Sequence, residues 1–127
     1  MGQSEPIRVL VVEDDDDVRA LVVFHLTMSG HVVSERSTVD DGLIALATAE
    51  EDGHDVVLTD LNFGLDSGER LVRHCRETGQ AVVVMTASAE LDDLAVEVRN
   101  SVKVLHKPFA LDDLSAAVSE AARGASP

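Results

Sequence analysis

The sequence has very few aromatic residues: it contains no Trp, no Tyr and three Phe among its 127 residues. Hydrophobic residues nevertheless make up 45% of the chain, a share typical of a folded globular domain. A core without large rings must be built from Val, Leu, Ala and Ile. A chain of this length has room for one domain with one core.

Cysteine is nearly absent as well. Cys75 is the single cysteine, so no internal disulfide can form. It falls in an amphipathic helical pattern, which predicts a buried packing role. No apolar run approaches the roughly 20 residues of a membrane span, and the N-terminus lacks the basic and then apolar order of a signal peptide. We therefore expect a cytoplasmic protein that has no membrane partner.

Positive charge is scarce. The chain has 10 Lys and Arg against 24 Asp and Glu, for a formal net charge of −14. Binding to a phosphate backbone needs clustered Lys and Arg, so we expect no nucleic-acid partner. A strongly acidic chain suits a divalent cation or a protein partner with a basic face. Most single surface acids are explained by solubility alone.

Five short apolar runs alternate with five amphipathic helical patterns. The runs are 7–12, 32–34, 55–59, 81–86 and 102–105, and the helical patterns are 16–28, 39–50, 67–78, 90–100 and 111–123. Continuous apolar runs indicate strands that are covered on both faces. The order predicts a doubly wound α/β fold, in which helices cover both faces of a five-stranded parallel sheet. We expect a single domain over 1–127, with a core of about 7–122 and loose ends at 1–6 and 123–127.

Acidic residues cluster at two of the predicted strand ends. Glu13 and Asp14 follow the first strand, and Asp60 ends the third. Functional sites in such sheets lie at the carboxyl ends of the strands, so we expect these three acids to meet. Like charges in one pocket repel, and a hard cation relieves the repulsion. Oxygen ligands indicate Mg²⁺, Mn²⁺ or Ca²⁺, whereas residues 15–17 are better explained as a helix cap and first turn.

Two further strand ends carry polar groups. Thr86 ends the fourth strand, and Lys107 follows the fifth. A Lys supplies a point charge that suits a phosphoryl oxygen, and with the acids it predicts a phosphoryl-transfer site in which Asp60 is the nucleophile. Each feature alone has an ordinary explanation: an Asp that caps a helix, a Thr favoured in strands, a solvated Lys. The placement of all of them at four strand ends is what makes the signal specific.

Four segments resemble the receiver domains of two-component response regulators. They are VLVVEDD at 9–15, DVVLTDLNFGLDSG at 55–68, VVVMTA at 82–87 and HKPF at 106–109. The resemblance extends over nearly the whole chain. It implies a flavodoxin-like fold with strand order 2-1-3-4-5.

The resemblance also implies the chemistry of the acidic cluster. Asp60 would be the phosphoacceptor and would share a Mg²⁺ ion with its neighbours. Asp14 would bind the ion directly, and Glu13 directly or through water. Asn62 would contribute its backbone carbonyl.

The other implied roles concern the phosphoryl group and its source. Thr86 would donate a hydrogen bond to the phosphoryl group, and Lys107 would pair with it. The donor would be a phosphohistidine on a sensor histidine kinase or a histidine phosphotransfer protein. The domain would catalyse only its own phosphorylation and slow dephosphorylation, so it is not expected to be an enzyme in the usual sense. We expect a stand-alone regulator that signals by binding an unknown downstream protein.

The chain departs from the family pattern at three positions. Gly64 replaces a usual Pro, and Ser67 replaces a usual Asp that precedes Gly68. Val104 stands where an aromatic switch residue is usual, which puts the common switching mechanism in doubt. We expect the switch to involve Thr86 and Ala87, and to be read through the loop that follows them and the start of a short fourth helix.

Three other functions are less compatible with these residues. A non-phosphorylated adaptor could use the same fold, but it has no need for the complete set of acids, Thr and Lys. A Ca²⁺-binding loop could begin at Asp60, but Gly64 falls where a ligand is required, and no Glu follows at the right place. A DNA-binding regulator would need a further output domain.

Overall fold

A computed structural model describes residues 6–48, 53–87, 96 and 102–124. Within these residues strands and helices alternate along the chain. The elements are β1 (Arg8–Val12), α1 (Asp16–Met28), β2 (Val32–Arg36), α2 (Val39–Ala47), β3 (Val56–Asp60), β4 (Asn62–Phe63), β5 (Asp66–Ser67), α3 (Glu69–Thr78), β6 (Ala81–Thr86), β7 (Lys103–His106) and α4 (Leu111–Gly124).

Five of the strands form one parallel sheet in the order β2-β1-β3-β6-β7. This confirms the predicted doubly wound α/β fold, because the order is 2-1-3-4-5 once the small β4–β5 hairpin is left out of the numbering. The sequence patterns did not predict that antiparallel hairpin. The predicted fourth helix at 90–100 lies outside the described residues, except for Val96, which is helical.

Helices cover both faces of the sheet, as the continuous apolar runs predicted. Leu10 and Val12 face one way, into a core shared with α2 and α3, whereas Val9 and Val11 face a second core shared with α1 and α4. All four side chains are fully buried. Burial of each such side chain contributes about 1.5–3 kcal/mol to folding. A strand buried on both faces cannot show polar alternation.

Local signals set several helix ends. The Asp15 carboxylate caps α1 by accepting hydrogen bonds from the backbone N–H groups of Asp17 and Val18, which confirms the interpretation of residues 15–17. Helix α3 ends at Thr78, and the next residue, Gly79, adopts a left-handed conformation (φ 79°) that suits glycine. Helix α4 continues to Gly124, one residue past the predicted helical pattern at 111–123 and into the predicted loose tail. No helix in the described ranges is both long and apolar enough to cross a membrane.

Cys75 packs inside the core between the sheet, α2 and α3, as predicted. It is fully buried, and burial raises the pKa of its thiol to about 12. The thiolate is therefore scarce at neutral pH, and packing is the role of this residue.

Gly68 lies where the start of α3 meets the end of β3. Its backbone N–H donates a hydrogen bond to the carbonyl oxygen of Leu61 at 2.9 Å. A Cβ atom at this position would lie only 2.0 Å from the carbonyl oxygen of Asp60. Only glycine permits this approach. Helix α3 begins at Glu69 rather than at Ser67 as predicted. The Ser67 hydroxyl accepts a hydrogen bond from the Glu69 N–H.

We predict that Gly68→Ala lowers the free energy of unfolding by about 1–3 kcal/mol, because the added methyl group forces the backbone of Asp60 away. Urea denaturation followed by circular dichroism measures this. Gly124→Ala is the matched control, because nothing lies within 4 Å of a Cβ there. Equal urea midpoints for the two variants would contradict the prediction.

Candidate functional site

The strand order brings four strand ends to one edge of the sheet. Glu13 and Asp14 directly follow β1, and Asp60 is the last residue of the neighbouring strand β3. One carboxylate oxygen from each of the three lies within 4.8 Å of the others. Glu13 and Asp60 are buried, and Asp14 is exposed. The predicted convergence of these acids is thus present in the structure.

The Asp60 carboxylate is held from two sides. Its Oδ1 atom accepts hydrogen bonds from the backbone N–H groups of Leu61 at 2.6 Å and Asn62 at 3.2 Å. Its Oδ2 atom accepts a hydrogen bond from Lys107 Nζ at 2.7 Å. Backbone and side-chain donors on opposite sides fix the orientation of the carboxylate.

Glu13 is the most deeply buried acid of the group. Burial raises the pKa of Glu13, and the negative charge of Asp60 raises it further. Glu13 accepts hydrogen bonds from the Asp15 backbone N–H at 3.0 Å and from Lys107 Nζ at 3.2 Å. These hydrogen bonds lower the pKa of Glu13, but they offset only part of the rise. The ionised form of Glu13 therefore carries a cost that a positive ion nearby would reduce.

Lys107 links the acids to the far edge of the sheet. It follows β7, and its backbone N–H donates to the carbonyl oxygen of Thr86 at 2.9 Å. Burial on its own lowers the pKa of the ammonium group. The hydrogen bond to Asp60 and the charges of Asp60 and Glu13 outweigh burial and raise the pKa. Lys107 is therefore positively charged at neutral pH.

The remaining predicted residues lie around this centre. Thr86 is buried at the end of β6, and its hydroxyl donates to the Ala87 carbonyl oxygen at 3.2 Å. Asn62 is exposed in β4, where its side-chain oxygen accepts a hydrogen bond from the Gly64 N–H at 3.0 Å and stabilises the turn of the hairpin. Val104 pairs with Val84 in the sheet and is half-buried. The structure thus brings Glu13, Asp14, Asp60 and Lys107 into one cluster and places Thr86 at the same sheet edge, whereas Val104 lies two residues before that edge, within β7.

Sequence reasoning missed one residue that contacts this cluster. Arg19 of α1 donates a hydrogen bond from Nη1 to the backbone carbonyl oxygen of Glu13 at 2.8 Å. The sequence contained no signal for this contact, because an Arg in a helix with an acidic first turn is usually predicted to be exposed to solvent.

The donor set fits a hard divalent cation. Three carboxylates supply only oxygen ligands, which Mg²⁺ prefers. Two of them are buried, so their mutual repulsion is weakly screened by water. Lys107 offsets one negative charge and leaves an excess. A cation of charge two at this edge would offset that excess.

Comparisons with known proteins agree with the geometry. The family profile described as "Response regulator receiver domain" matches residues 9–119. The transcriptional regulatory protein PrrA of Mycobacterium leprae is 37% identical over 120 residues, which cover 92% of this chain and 50% of PrrA. The regulatory protein AtoC of Escherichia coli is 31% identical over 117 residues, which cover 90% of this chain and 25% of AtoC. The chain thus spans half or less of the length of these relatives.

Solved structures show the same architecture. A response regulator receiver domain protein from Clostridium thermocellum has a TM-score of 0.83 at 26% identity, covering 93% of this chain and 95% of that one. The chemotaxis response regulator CheY4 of Vibrio cholerae has a TM-score of 0.77 at 20% identity, covering 92% and 99%, a likeness that supports the fold alone. The family match spans most of the chain, and the acids and the lysine meet at the sheet edge. We therefore conclude that this chain belongs to the response regulator receiver domain family of two-component signalling.

Proposed function

We propose that Asp60 accepts a phosphoryl group from a phosphohistidine in a Mg²⁺-dependent reaction, and that the phosphorylated chain signals by binding another protein. The observation that carries this proposal is the contact between Asp60 and Lys107. A carboxylate that is nearly buried, 2.7 Å from a lysine ammonium and beside two further acids, has the surroundings of a nucleophile for phosphoryl transfer.

In the proposed reaction an oxygen of Asp60 forms a bond to phosphorus while the phosphorus–nitrogen bond of the donor breaks. The backbone hydrogen bonds to Oδ1 hold the carboxylate in one orientation, which reduces the entropy cost of the attack. The ammonium group of Lys107 lies beside Oδ2 and would stabilise charge on the transferring phosphoryl oxygens.

Glu13, Asp14, Asp60 and the backbone carbonyl of Asn62 would hold the Mg²⁺ ion. When bound, the ion would offset the negative charge of the acids and of the phosphoryl group. Thr86 would turn its hydroxyl from the Ala87 carbonyl oxygen to a phosphoryl oxygen. The hydroxyl lies at the end of β6, at the same edge of the sheet as Asp60.

The donor proposed for this chain is a sensor histidine kinase or a histidine phosphotransfer protein. The formal net charge of −14 suits a donor with a basic face. The relatives named as transcriptional regulators are longer than this chain. We propose that the output of this chain passes through a separate downstream protein. The alternative is an adaptor that binds partners without being phosphorylated, and the first experiment below separates the two.

We predict that acetyl phosphate labels the protein at Asp60 only when Mg²⁺ is present. Phos-tag electrophoresis and mass spectrometry of the intact protein measure the added phosphoryl group. Asp60→Asn should abolish the label because the nucleophilic carboxylate is gone. Asp41→Asn is the matched control, because Asp41 is an exposed acid in the first turn of α2. Undiminished labelling of Asp60→Asn would disprove the assignment, and no labelling of the parent protein would favour the adaptor.

We predict that Mg²⁺ raises the melting temperature. A ligand that binds only the folded state stabilises it by RT ln(1 + [L]/Kd), which is about 2.7 kcal/mol at a hundredfold excess over Kd. Asp14→Asn should weaken this response because it removes one ligand. Asp17→Asn loses the same charge from an exposed helical position and should respond like the parent. Thermal melts by circular dichroism test this, and a parent curve indifferent to Mg²⁺ would refute it.

The switch is proposed to work without a large side chain at position 104. Val104 is short, and its β-branch restricts rotation about χ1. A ligand shifts a conformational equilibrium only by its differential affinity for two states, so another element must have two arrangements. We propose the loop after Thr86, from Ala87 onward, and the start of the predicted fourth helix. Residues 88–95 of this segment lie outside the described residues.

We predict that beryllofluoride with Mg²⁺, which mimics the phosphoryl group, produces its largest remote amide NMR shifts within residues 87–100. The same spectra of Val104→Ala should show the same pattern, because that side chain is proposed to be passive. Remote shifts that instead cluster around Val104 and α4, with 87–100 unmoved, would show that the proposal is wrong.

A further inference from the structure

Arg19 connects three elements beside the acidic cluster. Its Nη1 donates to the Glu13 carbonyl oxygen at 2.8 Å, its Nη2 to Asp16 at 2.6 Å, and its Nε to Glu35 at 3.1 Å. These acceptors belong to the end of β1, the first turn of α1 and strand β2. The Arg19 side chain is only 17% exposed. One guanidinium group thus uses all three of its nitrogen atoms to hold three separate segments together.

The bond to Glu13 is the one with consequences for the site. The Glu13 N–H is also fixed, because it donates to the Arg36 carbonyl oxygen at 3.1 Å. The peptide that joins Glu13 to Asp14 is planar, so fixing its carbonyl oxygen fixes the direction in which the chain leaves β1. Two of the three acids of the cluster, Glu13 and Asp14, are the residues that this peptide joins.

We propose that Arg19 is a positioning residue for the cation site: it holds the Glu13–Asp14 peptide so that both carboxylates point toward Asp60. This inference rests on the proposed function, because it concerns the affinity of the same site for Mg²⁺. The two other bonds of Arg19 serve to fix the guanidinium itself. They end on exposed acids (Asp16 86% and Glu35 51%), and such pairs contribute little to stability.

Charge alone predicts the opposite effect. Arg19 carries a positive charge near the cluster and repels a divalent cation. If it acted only through charge, its removal would strengthen Mg²⁺ binding. If it acts by positioning, removal weakens binding, because groups that orient metal ligands typically contribute 10–100-fold to metal affinity or activity. The sign of the change therefore decides between the two roles.

The test measures the Mg²⁺ Kd of the full chain by isothermal titration calorimetry, since the chain has no Trp whose fluorescence could report binding. Arg19→Ala is expected to raise the Kd about tenfold or more. Arg19→Lys keeps the charge but has one ammonium in place of the planar fork, so it should also bind Mg²⁺ more weakly. Arg73→Ala is the matched control, because Arg73 is an exposed α3 residue paired with Glu69; its Kd should not change.

Two further measurements separate positioning from a general loss of structure. Urea denaturation in EDTA should show Arg19→Lys still folded, so that its Kd is meaningful even if Arg19→Ala is not. Acetyl phosphate labelling of Arg19→Lys should recover at saturating Mg²⁺, because Arg19 contacts neither Asp60 nor Lys107. A Kd equal to that of the control, or a lower one, would overturn the inference. Absence of label on the parent protein would instead count against the proposed function, while the calorimetric comparison would still decide the role of Arg19.

Discussion

The contact between Lys107 and the Asp60 carboxylate is the interaction on which this end of the molecule depends. Two acids, Glu13 and Asp60, are buried side by side, and water cannot screen their repulsion. Lys107 reaches both of them, at 3.2 and 2.7 Å. It crosses from the edge strand β7 over β6 to the ends of β1 and β3. Burial and then the charge of Asp60 raise the pKa of Glu13, whereas burial lowers the pKa of Lys107 and the hydrogen bond to Asp60 and the charges of both acids more than offset it.

The fold supplies the constraint that creates this confinement. In a parallel sheet all carboxyl ends lie at one edge, and the order β1-β3-β6 puts the acids on adjacent strands with Lys107 within reach. The backbone around Asp60 is then tightly fitted. Leu61 and Asn62 donate to its carboxylate, while Gly68 closes the hairpin against its carbonyl oxygen. A rigid frame of this kind keeps like charges together that would separate in a more flexible loop.

Much of this could be predicted from the sequence, because the signals are local. Apolar runs gave the five sheet strands, and the positions of Glu13, Asp14, Asp60 and Lys107 at strand ends gave the cluster. The helix cap at Asp15 could also be predicted, because it involves only neighbouring residues in the sequence. The hairpin β4–β5, the close approach of Gly68 and the contact from Arg19 to Glu13 were not predicted. Each depends on a distance between segments, or on a turn of two residues, that periodicity does not encode.

The charges at the sheet edge also bear on why the proposed reaction needs a cation. Three carboxylates with one lysine already leave an excess of negative charge. A phosphoryl group on Asp60 brings about −2 at neutral pH and would meet that excess at close range. Lys107 can pair with the incoming oxygens only by sharing or leaving its contacts with Glu13 and Asp60. A divalent cation held by the acids would resolve this conflict, because it would offset their charge and leave Lys107 free to turn to the phosphoryl group. In the proposed reaction the acids beside Asp60 would bind the ion, and their neutralisation would make the lysine available.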